Sequence, residues 1–386
     1  GQIIRTGVWA KPKLDPGEVE VFSFDASGIT PRPGSEYFVK LSTRLRAAEP
    51  FLPMSYEPAA AQFKLPLAAP APAVSINGLP ALTVTSSGQK LHIEGKNFNI
   101  TFDERTGQLV SYQFHGAELL AQAPKPSFWR APNDNDWGYN MPRRLGKWRM
   151  ASENQELINF NVNKGGPQLV EVTSTLELPD VGSQNTVRYT VLGSGEILVE
   201  SSFKPGNDEL PNLPRFGVYL ELDGQFDQVK WYGRGPFENY VDRKTAAFIG
   251  QYESTVAEQY VPYVSPQGNG NKEETRWMSL TNYNGLGLLF SAEEPFGFTA
   301  LHFSPWDLTP ESRGALHTVD LEPREEVCLS LDYKQMGVGG DNSWGAQPLE
   351  KYQIPAQPYT FNFRISPVTR GVNAQQAAKR RIVRNP

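Results

Sequence analysis

The sequence has 386 residues but only one cysteine, Cys328, and four histidines. A single cysteine excludes an internal disulfide frame and a Cys-based zinc site. Cys328 sits in the alternating stretch Val327-Cys328-Leu329-Ser330-Leu331 with no histidine beside it, which reads as a buried strand thiol. Cytoplasm and periplasm both remain open as compartments. His92, His115, His302 and His317 are scattered and show no ligand spacing, so no metal site built on histidine is expected. No run of about 18 apolar residues exists, which excludes an apolar membrane-spanning helix. Neither charge dominates: 37 Lys and Arg face 42 Asp and Glu, a net −5. No basic field is present to hold nucleic acid. The G-x-S-x-G elbow, the Walker loop and H-E-x-x-H are all missing. The chain begins Gly1-Gln2-Ile3, without Met or a charged-then-apolar leader, and reads as a processed end, a cloning remnant or a cut within a longer protein.

What is abundant is turn and ring. With 34 Gly, 32 Pro, 21 Phe, 15 Tyr and 8 Trp, many turns, few long helices and a large core are expected. Residues 1–64 read as a small β domain. Val19, Val21, Phe22 and Phe24 suggest one strand, Phe38, Val39, Leu41 and Leu45 a second, and Ala61 to Leu65 a third. These are too few for a complete sandwich of about seven strands, so the region reads as a partial immunoglobulin-like β-sandwich. Leu65-Pro66-Leu67-Ala68-Ala69-Pro70-Ala71-Pro72-Ala73 predicts a stiff linker over 65–74.

Residues 75–366 are a succession of strands. Phe98, Ile100 and Phe102 alternate, Asp103-Glu104-Arg105-Thr106-Gly107 turns, and Leu109, Tyr112 and Phe114 return, which predicts a hairpin. The same pattern recurs about Gly193-Ser194-Gly195 and Asn284-Gly285. A single all-β, large antiparallel sandwich follows from this. A short helix is predicted near Arg143 to Ala151. Residues 367–386 carry Arg370, Lys379, Arg380, Arg381 and Arg384 without an acid. That tail is expected to be solvated, with a short basic helix docking on an acidic surface as the alternative.

Three segments carry candidate chemistry. Phe128-Trp129-Arg130-Ala131-Pro132-Asn133-Asp134-Asn135-Asp136-Trp137-Gly138 places an Asx run behind two rings and an arginine. It reads as a structural turn or as a sugar-binding edge with Gly138 as a hinge. Tyr232 to Arg243 joins Gly233, Gly235 and Pro236 to Glu238, Asp242, Arg234 and Arg243, and reads as a salt-bridged corner. Met336-Gly337-Val338-Gly339-Gly340-Asp341-Asn342-Ser343-Trp344-Gly345 does not open a helix, so a phosphate cradle is a poor fit. Trp344 is either a ring presented to the apolar face of a sugar, with Asp341 and Asn342 taking hydroxyls, or a plug in the core.

Together, in this order and spacing, the three segments resemble the C-terminal part of large bacterial β-galactosidases of glycoside hydrolase family 2. Pro262-Tyr263-Val264 and Thr275-Arg276-Trp277 are similar to that family's middle stretch. The resemblance implies a galactose mutarotase-like supersandwich over 75–366 that walls a sugar pocket whose floor is an upstream TIM barrel. It implies substrate contacts from Trp344, Asp341, Asn342, Asp134, Asn135, Asp136 and Gly138. Retaining hydrolysis needs two carboxylates about 5–5.5 Å apart. In the family both lie on the barrel, so no catalytic residue is expected here and the chain alone is expected to be inactive. No cofactor is evident on this chain; a divalent or monovalent cation would belong to the barrel. The partners implied are a galactoside, the barrel domain and a homo-oligomer, with neither nucleic acid nor membrane. A free-standing carbohydrate-binding module, a mutarotase-type enzyme and a purely structural domain are the other readings. The scattered histidines count against the mutarotase.

Overall fold

The structure is a computed structural model that describes residues 1–9, 14–342 and 344–383. The chain divides into two compact units, Gly1–Pro72 and Ala73–Pro386. In the first, strands Tyr37–Thr43 and Ala59–Leu65 pair antiparallel from Tyr37 opposite Leu65 to Thr43 opposite Ala59. The strand expected around Val19 to Phe24 is not formed. Val19 and Val21 are both 86 % exposed, because alternation makes a strand only where a neighbour takes up its backbone groups.

The second unit is a large antiparallel supersandwich. One sheet has twelve strands and a second has five, running through 83–118. The hairpin about Gly107 forms as its alternation requires: Phe98–Asp103 pairs with Leu109–Phe114, and Gly107 takes a φ of 69°. Strand Ser183–Leu192 pairs with Leu169–Leu178 on one side and Ile197–Lys204 on the other, each burying alternate side chains. Phe102 meets Tyr189 at 5.3 Å and the Tyr112 hydroxyl donates to the Gly195 carbonyl at 2.6 Å, which joins the two sheets through one core.

The fifteen-residue strand Gly287–Leu301 changes partners along its length. Gly287 to Ser291 pair with the strand Tyr359–Val368, whereas Gly297 to Leu301 pair with Val327–Gln335. The change falls at Glu293-Glu294-Pro295, where three exposed residues include a proline that has no amide for the ladder. Strand Arg215–Leu222 lies between Val327–Gln335 and Leu120–Ser127 and is buried along its whole length. Phe128, Trp148, Phe203 and Phe216 form a ring cluster with centroids 5.3–6.1 Å apart, anchoring the chain just before the Asx run.

Helix is scarce: α1 is Asp134–Gly138, α2 is Met141–Arg144 and α3 is Ala374–Lys379. The helix expected near Arg143 to Ala151 therefore begins earlier and breaks into α2 and a 3-10 turn at Gly146–Trp148. The tail expected to be solvated is docked through residue 383. Arg364 donates to the carbonyls of Ala377, Ala378 and Arg380 at 2.8–3.0 Å, and Arg381–Val383 pairs parallel with Ala73–Ser75. The tail's own Arg380 also pairs with Glu196 at 3.2 Å, so one cation of the sheet and one of the tail hold it. Arg384 is outside the described residues.

Candidate functional site

The three segments converge at one rim of the second unit. Phe128 and Trp129 are buried, and the chain then turns Arg130 inward. Asn133 caps α1: its side chain accepts from the Asp136 amide at 2.9 Å, and the Asp136 carboxylate accepts the Asn133 amide at 2.8 Å. Asp136 also takes Arg130 Nη1 at 2.5 Å and Nη2 at 3.0 Å, and the Tyr139 hydroxyl at 3.0 Å. It is fully buried. The expectation that Asp136 meets the sugar is corrected here: every direction from its carboxylate is occupied by protein. Burial opposes the Arg130 charge, yet Asp136 outweighs it and the guanidinium is held above its ordinary pKa. Burial first and Asp136 second push the Tyr139 hydroxyl far up. Asp134 and Gly138 remain exposed and Asn135 half-exposed on the outer side of α1.

The Gly233–Arg243 segment is only in part the expected salt-bridged corner. Glu238 and Arg243 pair at 2.6 Å, and Glu238 also accepts the Gly270 amide at 2.9 Å. Arg234 turns to Glu274 at 3.1 Å and to the Lys244 and Ala247 carbonyls. Asp242 leaves the corner altogether. Its two oxygens accept the amides of Val338 and Gly339 at 3.1 and 2.9 Å.

The third segment closes the arrangement. Arg130 Nη2 donates to the Gly337 carbonyl at 3.2 Å, and the Asn133 and Asn135 amides donate to the Val338 carbonyl at 3.4 and 3.1 Å. Gly340 and Gly345 take φ of 109° and 98°, and a side chain on Gly345 would reach the Gly138 carbonyl at 3.1 Å. Between them the Asn342 side chain accepts the Trp344 amide at 2.9 Å, which bends the tip. Asp341 and Asn342 are exposed, and Trp344 is 93 % exposed. The ring is therefore presented to solvent and is no core plug. Ser343 is outside the described residues.

Sequence reasoning passed over Gln267. Its amide reads Asp134 twice, accepting the Asp134 backbone amide at 3.2 Å and donating to Oδ2 at 3.1 Å. The Ser265-Pro266-Gln267-Gly268-Asn269-Gly270 turn was the available signal. Behind the rim lies a cavity of about 30 Å³, room for one water, lined by Arg130, Arg215, Tyr240, Asn271, Ser330 and Gln335 among others. Arg215 pairs with Asp332 at 2.9 Å, and burial nevertheless pushes that carboxyl up to about 6. Cys328 also lines the cavity, its thiol pushed up to about 12 by burial. Among the described residues, no three His, Cys, Asp or Glu side chains gather so as to hold a metal ion. His92 meets Thr101, His302 the Glu326 carbonyl and His317 Asp320, each in a different place.

Fold and rim define an antiparallel sandwich domain with a polar loop cluster around one free indole. Residues 94–365 match the family described as Beta galactosidase small chain, and the chain belongs to that family. It is 38 % identical over 336 residues to the beta-galactosidase of Priestia megaterium, covering 86 % of this chain and 32 % of that protein. The Halalkalibacterium halodurans beta-galactosidase is 34 % identical over 76 % of the chain and 29 % of its own length. For that of Streptococcus thermophilus the figures are 30 %, 92 % and 34 %. The chain thus spans about a third of the curated relatives it matches. Among solved structures, a GalM/aldose epimerase homologue from C. elegans overlays 76 % of this chain and 99 % of its own at a TM-score of 0.42 and 12 % identity.

Proposed function

We propose that this chain is the C-terminal portion of a retaining β-galactosidase acting on terminal β-D-galactosides. In that reading it supplies a wall of the sugar pocket, while the acid/base and nucleophile stand on a barrel upstream. The work of these residues is to bind, orient and exclude water. Trp344 stacks on the apolar face of a sugar, and Asp341, Asn342, Asp134 and Asn135 offer polar groups to hydroxyls around it, with Gly138 leaving room for the ring. Asp136 holds this edge in place from beneath. The barrel would be the chain's principal partner, within a homo-oligomer.

The observation that carries the reading is the exposure of Trp344, 93 %, at a tip whose root is tied to both other motifs. A large ring left in water in a protein that buries Trp129, Trp148, Trp231 and Trp277 calls for a ligand. The test is Trp344→Ala in the full-length enzyme. Loss of a stacked ring raises KM roughly tenfold, about 1.4 kcal/mol, and weakens transfer to acceptor sugars. Unchanged KM and transfer would remove Trp344 from the site. The expressed chain by itself should leave a chromogenic galactoside intact, and cleavage by material free of host enzyme would refute the division of labour.

A further inference from the structure

We propose that Asp242 is a positioning residue for the aromatic tip: its carboxylate clamps the root of the 340–345 loop and thereby sets sugar binding at Trp344 without touching sugar. The inference rests on the reading of Trp344 as a sugar contact and adds the element that fixes where its ring stands.

Three consecutive residues, Gly337 to Gly339, have five backbone polar groups engaged. The Gly337 amide donates to the Tyr352 carbonyl at 2.9 Å, and the Gly337 carbonyl accepts from Arg130. The Val338 carbonyl accepts from Asn133 and Asn135. The Val338 and Gly339 amides both go to Asp242, one to each oxygen. A carboxylate facing two successive amides is the strong, charge-assisted form of such a contact and fixes direction as well as distance. Beyond Gly339 this density stops. Gly339 and Gly340 both have positive φ, and within the tip the Asn342 side chain accepts the amides of Trp344 and Ala346. Trp344 therefore stands on a glycine pivot, and its direction of departure is decided at the root.

Gly337 belongs to the same device. A Cβ there would lie 2.5 Å from Asp242 Oδ2 and 3.0 Å from the Tyr352 Cβ. Only glycine lets the carboxylate reach the two amides. Asp242 differs from Arg130 and Asp136 in one useful way. It is half-buried, so water can replace it on the amides when it is removed. Its loss should release the loop without unfolding the sandwich.

The experiment is a mutant cycle on the full-length enzyme with a chromogenic galactoside. Asp242→Ala is expected to raise KM about fivefold and to change kcat less than about twofold. Asp242→Asn, which keeps one acceptor oxygen, should fall between it and wild type. Gly337→Ala attacks the contact from the other side and should raise KM in the same way. Placed on Trp344→Ala, Asp242→Ala should add nothing, because the two act through one ring. An undiminished effect of Asp242→Ala in the Trp344→Ala background would overturn the proposal. So would an unchanged KM in Asp242→Asn and Gly337→Ala while Trp344→Ala raises it; these two also carry the test if Asp242→Ala does not fold. If Trp344→Ala itself leaves KM unmoved, the reading of the ring fails first and the clamp has nothing to position.

Discussion

Asp136→Asn changes one charge at constant shape and exposes what holds the rim. In the native chain the Asp136 carboxylate is fully buried against Arg130, which is 3 % exposed. The two share a bidentate contact at 2.5 and 3.0 Å, with the Asn133 amide and the Tyr139 hydroxyl as further donors. The amide leaves a buried guanidinium with no counter-charge, which costs about 3–5 kcal/mol. The capping box loses its reciprocal half, worth about 1 kcal/mol in isolation. These losses share one group and do not add, so about 4 kcal/mol is expected in all. For a unit of this size that lowers Tm by roughly 6 °C. Urea unfolding followed by tryptophan fluorescence reads it directly. The control is Arg130→Met with Asp136→Leu, which removes both charges and should recover most of the loss, since a buried pair often exchanges for apolar packing at little net cost. A loss under about 1 kcal/mol for Asp136→Asn, or a double variant no better than the single one, would refute the account of a buried pair as the keystone of α1.

Lys272 gives a pH prediction. It is 2 % exposed, and burial pushes its ammonium down to about 8, with Glu238 acting the other way. The unfolded chain keeps this proton up to about 10.5, so between about 8 and 10.5 it binds more protons than the folded one and stability should rise with pH through this residue. The full swing is of order 3 kcal/mol; Lys272→Met should abolish that slope, so the difference between the wild-type and variant stability curves should change across this pH range, and parallel curves would count against it. Arg364→Met cuts the three contacts to the carbonyls of Ala377, Ala378 and Arg380. Amide exchange over 374–383 should then accelerate strongly while strand Arg215–Leu222 keeps its protection, and unchanged exchange in the tail would show that something else docks it.

The strand ladder of the second unit was legible because most of its strands have one face in the core. Period two in Phe98 to Phe102 or Ile197 to Phe203 is a direct statement of which side chains are buried. The three motifs were legible too, since a run of Asx or Gly residues beside aromatics stands apart from a strand pattern. Composition and spacing alone thus determined an all-β protein with three polar loops. Partnership was not written locally. Val19 to Phe24 alternates like a strand, yet no ladder forms there, while Arg215–Leu222 is covered on both faces and its Arg215 and Glu221 are met by Asp332 and Tyr219. Asp134, Asn135 and Asp136 look alike in a string. A helical turn of about 100° per residue sends the third to Arg130 and leaves the first at the surface, beside a glutamine 133 positions away. Nor does the string say whether the Trp344 ring is buried or exposed; its exposure belongs to a loop whose root is gripped by Asp242, Arg130 and Asn135. Contacts of that kind join residues about a hundred or two hundred positions apart. Only a folded chain brings them within hydrogen-bond distance, because the energy that selects them belongs to desolvated polar and charged groups and not to any local preference of the backbone.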